Sequence, residues 1–283
     1  MADMKAFIFP RYILDQSLGI HADRARGPFL QAVANGLALN LLGLVALDSC
    51  RRRRLLGLPA FFLLGALPVA ILATKTRAVW VAFAGSIVVL LFFTPSRRLR
   101  RACISLAVAG CLGLAAMLVI ADHHRSLSER LEESGPVKFR LAVYHAGWEM
   151  FLKKPLSGWG ARAMQTELSN RISDFHQDRY YFHNTYLEIL VQYGVPGLGL
   201  YLWLVTDLFR ISRKRHRSRC SPDGTFMDEQ FRSLWPLIVA VYLVNGSFVV
   251  MNYQFVNGFL FTLAGVLVAQ NRGHAQAVNA LPS

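Results

Sequence analysis

The sequence predicts an all-α fold: a polytopic membrane helix bundle of about seven transmembrane helices, with one large outward-facing helical loop. Three observations carry that expectation. The chain has 283 residues, of which 54% are hydrophobic. Only 17% are charged, against roughly one quarter in an ordinary globular domain. Apolar runs recur seven times, at about 29–47, 56–74, 78–93, 102–121, 186–209, 234–251 and 253–270, each near the length that carries a helix through hydrocarbon. Lipid offers no partner to backbone polar groups, so such runs are expected as helices.

The charge distribution orients these runs. The net charge of +14 is not spread as a nucleic-acid face but gathered in short clusters between apolar runs. Arg51 to Arg54 follow the first run, Arg97 to Arg101 the third, and Arg210 to Arg219 the fifth. With seven spans the three clusters share one side, which the positive-inside rule makes cytoplasmic. Residues 122–185 then face outward, with nine Lys/Arg against eight Asp/Glu. The expected division is 1–121 (amino-terminal segment and four helices), 122–185 (outward loop) and 186–283 (three helices, a basic cytoplasmic loop and a short tail). This topology also puts residues 1–28 outside, as expected of a chain that begins within the fold. Cys50, Cys103, Cys111 and Cys220 have neither metal-site nor redox-motif spacing.

The outward loop should be partly helical. Ser128 to Glu133 is a short helical possibility ending at the breaker pair Gly135-Pro136. From Lys138 to Lys153, Phe139, Val143, Ala146 and Met150 recur at helical spacing, with Leu141, Trp148 and Phe151 widening the face. That pattern predicts an amphipathic helix lying against the membrane mouth or the bundle. Lys154-Pro155 ends it, and Pro155 to Gly160 form a sharp turn. His183-Asn184 leads into the fifth span, where Asn184 or Thr185 is the expected helix cap. Gly194-Val195-Pro196-Gly197 should kink or break that span.

A few groups in this frame suit chemistry. Arg77 lies at the outer surface, the wrong side for a topology anchor. It is either a phosphate-binding arginine or a side chain snorkelling to lipid head groups. Arg140 opens the amphipathic helix and offers donors matched to phosphate oxygens, or an ordinary solvent contact. His183 titrates near neutrality and can act as a base, or it is a structural residue bonded to Tyr181 or Glu188. Asn245, Ser247, Asn252, Gln254 and Asn257 make the last two spans polar, either bonding one another or lining a groove. His123, His124 and His176 have no metal spacing with His183.

These pieces together resemble the bacterial O-antigen ligase and O-antigen polymerase superfamily of lipid-linked glycan transferases. The resemblance rests on Lys154-Pro155-Leu156-Ser157-Gly158-Trp159-Gly160, then His183-Asn184-Thr185-Tyr186-Leu187-Glu188, then Gly194-Val195-Pro196-Gly197, with Arg140 before them and Thr76-Arg77 at the third span. It implies a GT-C-like membrane glycosyltransferase of the bacterial inner membrane, with residues 122–185 in the periplasm. The donor would be a glycan on undecaprenyl diphosphate and the acceptor lipid A–core or a growing glycan. Neither metal, cofactor nor nucleic acid is implied. Carried over by position, Arg77 and Arg140 would hold the diphosphate and His183 would activate the acceptor hydroxyl. Gly158, Gly160, Arg162, Asn184 and Glu188 would complete the substrate site. Family members generally have about twelve spans, so an amino-terminally truncated or reduced member is expected. The competing classes are a polymerase of the same superfamily, a transporter-like protein and an inactive membrane fragment. A transporter would need charged groups along a continuous path, whereas these gather at one face.

Overall fold

The computed structural model describes residues 11–15, 17, 24–51, 57–93, 97–122, 135–172, 180–213 and 229–279. Among these residues the fold is all-α. The helices are α1 (Ala32–Arg51), α2 (Gly57–Ala73), α3 (Arg77–Phe93), α4 (Arg97–Asp122), α5 (Gly135–Lys153), α6 (Ala161–Arg171), α7 (Thr185–Arg213), α8 (Glu229–Gly246) and α9 (Gln254–Asn279). All but α5 and α6 coincide with the seven apolar runs. Three stretches, Ala32–Ser49, Arg97–Ala116 and Thr185–Ser212, are long and apolar enough to cross a membrane, and four further helices carry shorter apolar segments. Large apolar side chains stand on outer surfaces, including Phe92 at 81% exposure and Leu112 at 66%. Such surfaces are costly in water and suit hydrocarbon. The protein is therefore a multi-pass membrane protein. The helix expected over 128–133, the basic stretch 214–219, most of the 221–229 connection and the histidines at 123, 124 and 176 lie outside the described residues.

The chain forms two compact units, Met1–Arg130 and Leu131–Ser283. In the first, α1 buries Leu37, Leu41, Leu44 and Leu47 and packs on α2, α3 and α4. Glycines let backbones approach: a Cβ on Gly43 would lie 2.5 Å from Leu67, and one on Gly36 2.8 Å from Val79. The segment before α1 is tied down as well. Arg26, only 4% exposed, donates from Nη2 to the carbonyls of Ile13 and Asp15 at 3.2 and 2.9 Å.

In the second unit α5 begins at Gly135 rather than after the Gly-Pro pair. Proline is tolerated in a first helical turn, where its missing N–H would have no partner anyway. Phe139, Val143, Ala146 and Met150 point inward as their spacing predicts, and join Met164 and Leu168 of α6, Ile172, Tyr180, Phe182 and Val191 in one core. Leu141 and Trp148 do not widen that face. They are 62% and 52% exposed, because at 100° per residue Leu141 lies about 200° round from Phe139. α6 is an element that the apolar pattern does not announce. Gly147 is required by packing: a Cβ there would come within 2.2 Å of the Phe182 ring.

The distorted helix is α7. Gly194 has φ 67° and ψ −167° inside it, with Pro196 two residues on. The irregular turn leaves carbonyls free, and the 154–160 turn takes them. Trp159 N–H donates to Val191 O at 3.0 Å and Gly160 N–H to Gln192 O at 2.9 Å, while Val195 N–H donates back to Pro155 O at 2.8 Å. Side chains are excluded from this contact. A Cβ on Gly158 would lie 2.4 Å from Gln192 O, and one on Gly194 2.5 Å from Leu156 O. Gly158 and Gly194 also have positive φ, which glycine adopts at no steric cost.

The last two apolar runs are the helices α8 and α9, each packed on α7. α8 stops at Gly246 rather than 251, and 247–253 is non-helical. Thr185 holds that segment: its hydroxyl donates to Val249 O at 2.7 Å and accepts from Met251 N–H at 2.9 Å. Asn257 bonds Tyr242 OH at 2.8 Å and Met251 O at 3.1 Å, so part of the polar set in these spans does bond its neighbours.

Gly194→Ala should destabilise the protein by about 2–4 kcal/mol through backbone strain and overlap with the 155–156 carbonyls. Gly199→Ala, whose Cβ meets nothing within 4 Å, should be neutral or slightly stabilising. Thermal midpoints of the two variants in the same detergent check this contrast.

Candidate functional site

His183 occupies the lip of the second unit, where the polar stretch enters α7. Three restraints place it. Asn184 is the helix cap: its Oδ1 accepts from Tyr186 N–H at 3.0 Å and Leu187 N–H at 3.1 Å. Thr185, the alternative cap, spends its hydroxyl on the 249–251 segment instead. Upstream, Gln165 of α6 pairs with the backbone of Tyr180 in both directions, at 2.8 and 2.9 Å, which fixes the chain leading to the histidine. Tyr144 of α5 reaches the His183 carbonyl at 3.5 Å.

His183 has φ 52°, a left-handed conformation that is uncommon for residues with a Cβ. Its Nδ1 lies 2.9 Å from Tyr181 O. A carbonyl only accepts, so this contact requires a proton on Nδ1 and leaves Nε2 with its lone pair when the ring is neutral. Burial holds the pKa of His183 below its ordinary value, and the positive charge of Arg140 lowers it further, against an opposing effect of the Tyr181 carbonyl. The ring is thus biased towards neutral imidazole with a free Nε2. That is the form a general base needs.

The other residues singled out in the sequence fall as follows. Arg140 is exposed on α5, within electrostatic reach of His183. Glu188 sits in the first turn of α7, and its Oε2 is enclosed without a hydrogen-bond partner. Gly158 and Gly160 lie in the turn that docks on α7. Arg162 is exposed in the first turn of α6. Arg77 belongs to the first unit, where it is exposed at the start of α3. Of the set, His183, Asn184, Glu188 and Arg140 are brought together at the lip.

Sequence reasoning missed the residues that hold this lip in place. Gln165 and Tyr144 carry no spacing signal. Nor does Arg171, which bonds Glu149 of α5 at 2.8 Å and Glu167 at 2.6 Å, and so locks α6 against α5. Among the described residues no group of three or more His, Cys, Asp or Glu is placed to hold a metal ion.

A family model described as O-antigen ligase matches residues 59–202. The matched stretch runs from α2 past the kink of α7 and contains Arg77, Arg140, the Gly158 turn, His183 and Glu188. No curated protein and no solved structure matches the chain.

The histidine should titrate below the ordinary 6.5, and Arg140→Gln should move its midpoint upward without restoring it fully, because burial is the larger cause. Between the folded midpoint and 6.5 the unfolded chain binds more protons. His183 therefore contributes stability above that window and loses it as pH falls through the folded midpoint. Site-selective imidazole NMR on labelled protein, with and without the Arg140 substitution, measures both midpoints.

Proposed function

This chain belongs to the O-antigen ligase family, and from that premise we propose that it transfers a glycan from an undecaprenyl-diphosphate carrier to an acceptor hydroxyl. The acceptor we favour is lipid A–core. The observation that carries the reading is the state of His183: a half-buried ring whose Nδ1 is committed to the Tyr181 carbonyl, leaving Nε2 for a proton.

In the proposed reaction the acceptor oxygen attacks the anomeric carbon as the bond to the carrier diphosphate breaks. Nε2 of His183 takes the hydroxyl proton. Negative charge grows on the departing diphosphate, where guanidinium groups stabilise it. That role goes to Arg77 and Arg140, which supply positive charge without needing a metal. Attack on the face opposite the leaving group gives a single displacement with inversion. Glu188, with one oxygen enclosed and unpartnered, is assigned to acceptor or sugar hydroxyls, and Asn184 and Arg162 to the polar rim of the same substrate site. Gly158 and Gly160 act by shaping the turn behind the lip. The reading places the chain in the bacterial inner membrane with residues 122–185 in the periplasm, where preassembled glycan meets its acceptor.

His183→Ala, Arg77→Ala and Arg140→Ala should each lower transfer by about a hundredfold or more, the scale of losing a base or a charge-stabilising donor, at unchanged membrane content. Transfer is measured with purified protein, undecaprenyl-diphosphate glycan and lipid A–core. Undiminished transfer by any variant would remove the role given to that residue. Extension of the glycan on its carrier, with none appearing on lipid A–core, would make the protein a polymerase. For sidedness, Ser157→Cys in a cysteine-free background should react with an impermeant maleimide from the periplasm of intact spheroplasts; protection there would reverse the topology.

A further inference from the structure

The family reading rests on one cation of the first unit, Arg77, but the fold puts two more beside it. Ala25 N–H donates to Ala73 O at 2.9 Å, so the segment carrying Arg24 runs alongside the turn between α2 and α3. That segment is held firmly from the other side too, where Asn35 Nδ2 donates to Ala25 O at 3.0 Å and a Cβ on Gly27 would collide with the Asn35 side chain. Arg24, Lys75 and Arg77 thus sit on two backbone segments pinned together at one end of the first unit.

The turn itself sets Lys75 between two buried threonines. Thr74 and Thr76 on either side are buried, and their hydroxyls turn back onto the carbonyls of Ile71 and Thr74 at 2.7 and 3.0 Å. Trp80 closes the turn from beneath by donating from Nε1 to Ile71 O at 3.0 Å. Lys75 has φ 49°, a left-handed conformation that glycine or asparagine adopts more readily. A lysine kept where the backbone favours a smaller residue points to a use for its ammonium group.

We infer that Arg24 and Lys75 join Arg77 in one cationic cradle for the diphosphate of a polyprenyl carrier lipid, Arg24 and Arg77 through paired N–H donors and Lys75 as a compact point charge. The inference deepens the proposed function and depends on it. A diphosphate offers two phosphate groups for three cations on two backbone segments to hold, where a monophosphate offers one.

The decisive variant is Lys75→Asn, which removes the charge and suits the left-handed backbone. In detergent-purified full-length protein its thermal midpoint should stay level or rise, while affinity for undecaprenyl diphosphate falls about tenfold, the scale of one charge-assisted contact. Arg24→Gln should lose a similar factor, Lys75→Arg should keep most of the binding, and undecaprenyl monophosphate should bind more weakly than the diphosphate to the wild type. Wild-type affinity in Lys75→Asn and Arg24→Gln, alongside loss of binding in Arg77→Ala, would overturn the cradle and leave the family reading of Arg77 standing. Failure of the wild type to bind undecaprenyl diphosphate at all would overturn both.

Discussion

The second unit depends on a backbone-to-backbone contact between the 155–160 turn and α7 at 191–195. Gly194 breaks the regular hydrogen-bond ladder of a helix that is otherwise apolar enough to span a membrane. Carbonyls released inside lipid would be costly, and the turn satisfies two of them while Pro155 O takes the N–H of Val195. The distortion and the turn therefore need each other. Neither would persist alone in a low-dielectric setting, and no side chain stands between the strands of the contact to take up slack.

That contact explains why the lobe formed by α5 and α6 can be precise despite being mostly polar. α5 and α6 bury only one modest cluster of apolar residues, yet their ends are fixed. The turn seats α5 on α7, Gln165 holds Tyr180, Arg171 ties α6 to α5, and Asn184 starts the helix directly after His183. The histidine is thereby held in a left-handed conformation that a loosely tethered loop would relax. Its ring stays half-buried, which is the main reason its pKa lies below the ordinary value.

Much of this was legible in the sequence, and the rest was hidden for identifiable reasons. The seven spans show because lipid imposes long apolar runs, and the kink shows because Gly194 and Pro196 interrupt one. The inward face of α5 shows because four residues recur at helical spacing. α6 does not show, since Met164 and Leu168 are its only buried residues and two positions make no stripe. Asn184 and Thr185 are both capping types, and the tertiary partner at 249–251 separates them. The part of Gly158 is invisible for a similar reason: its constraint is a carbonyl at Gln192, far away in the chain. The sequence marks Gly158 and Gly160 as unusual and suggests substrate; the fold supplies a packing reason for Gly158 as well.

The hydroxyl of Thr185 ties the start of α7 to residues 249 and 251, and so makes the connection between α8 and α9 a shoulder for the lip. Those helices carry none of the groups assigned to the reaction. A frameshift or stop codon between positions 190 and 246 would nonetheless unseat His183, because Thr185, two residues on, would lose both of its partners at once. Alleles shortened there belong with active-site lesions in their effect, although every reactive side chain would still be encoded.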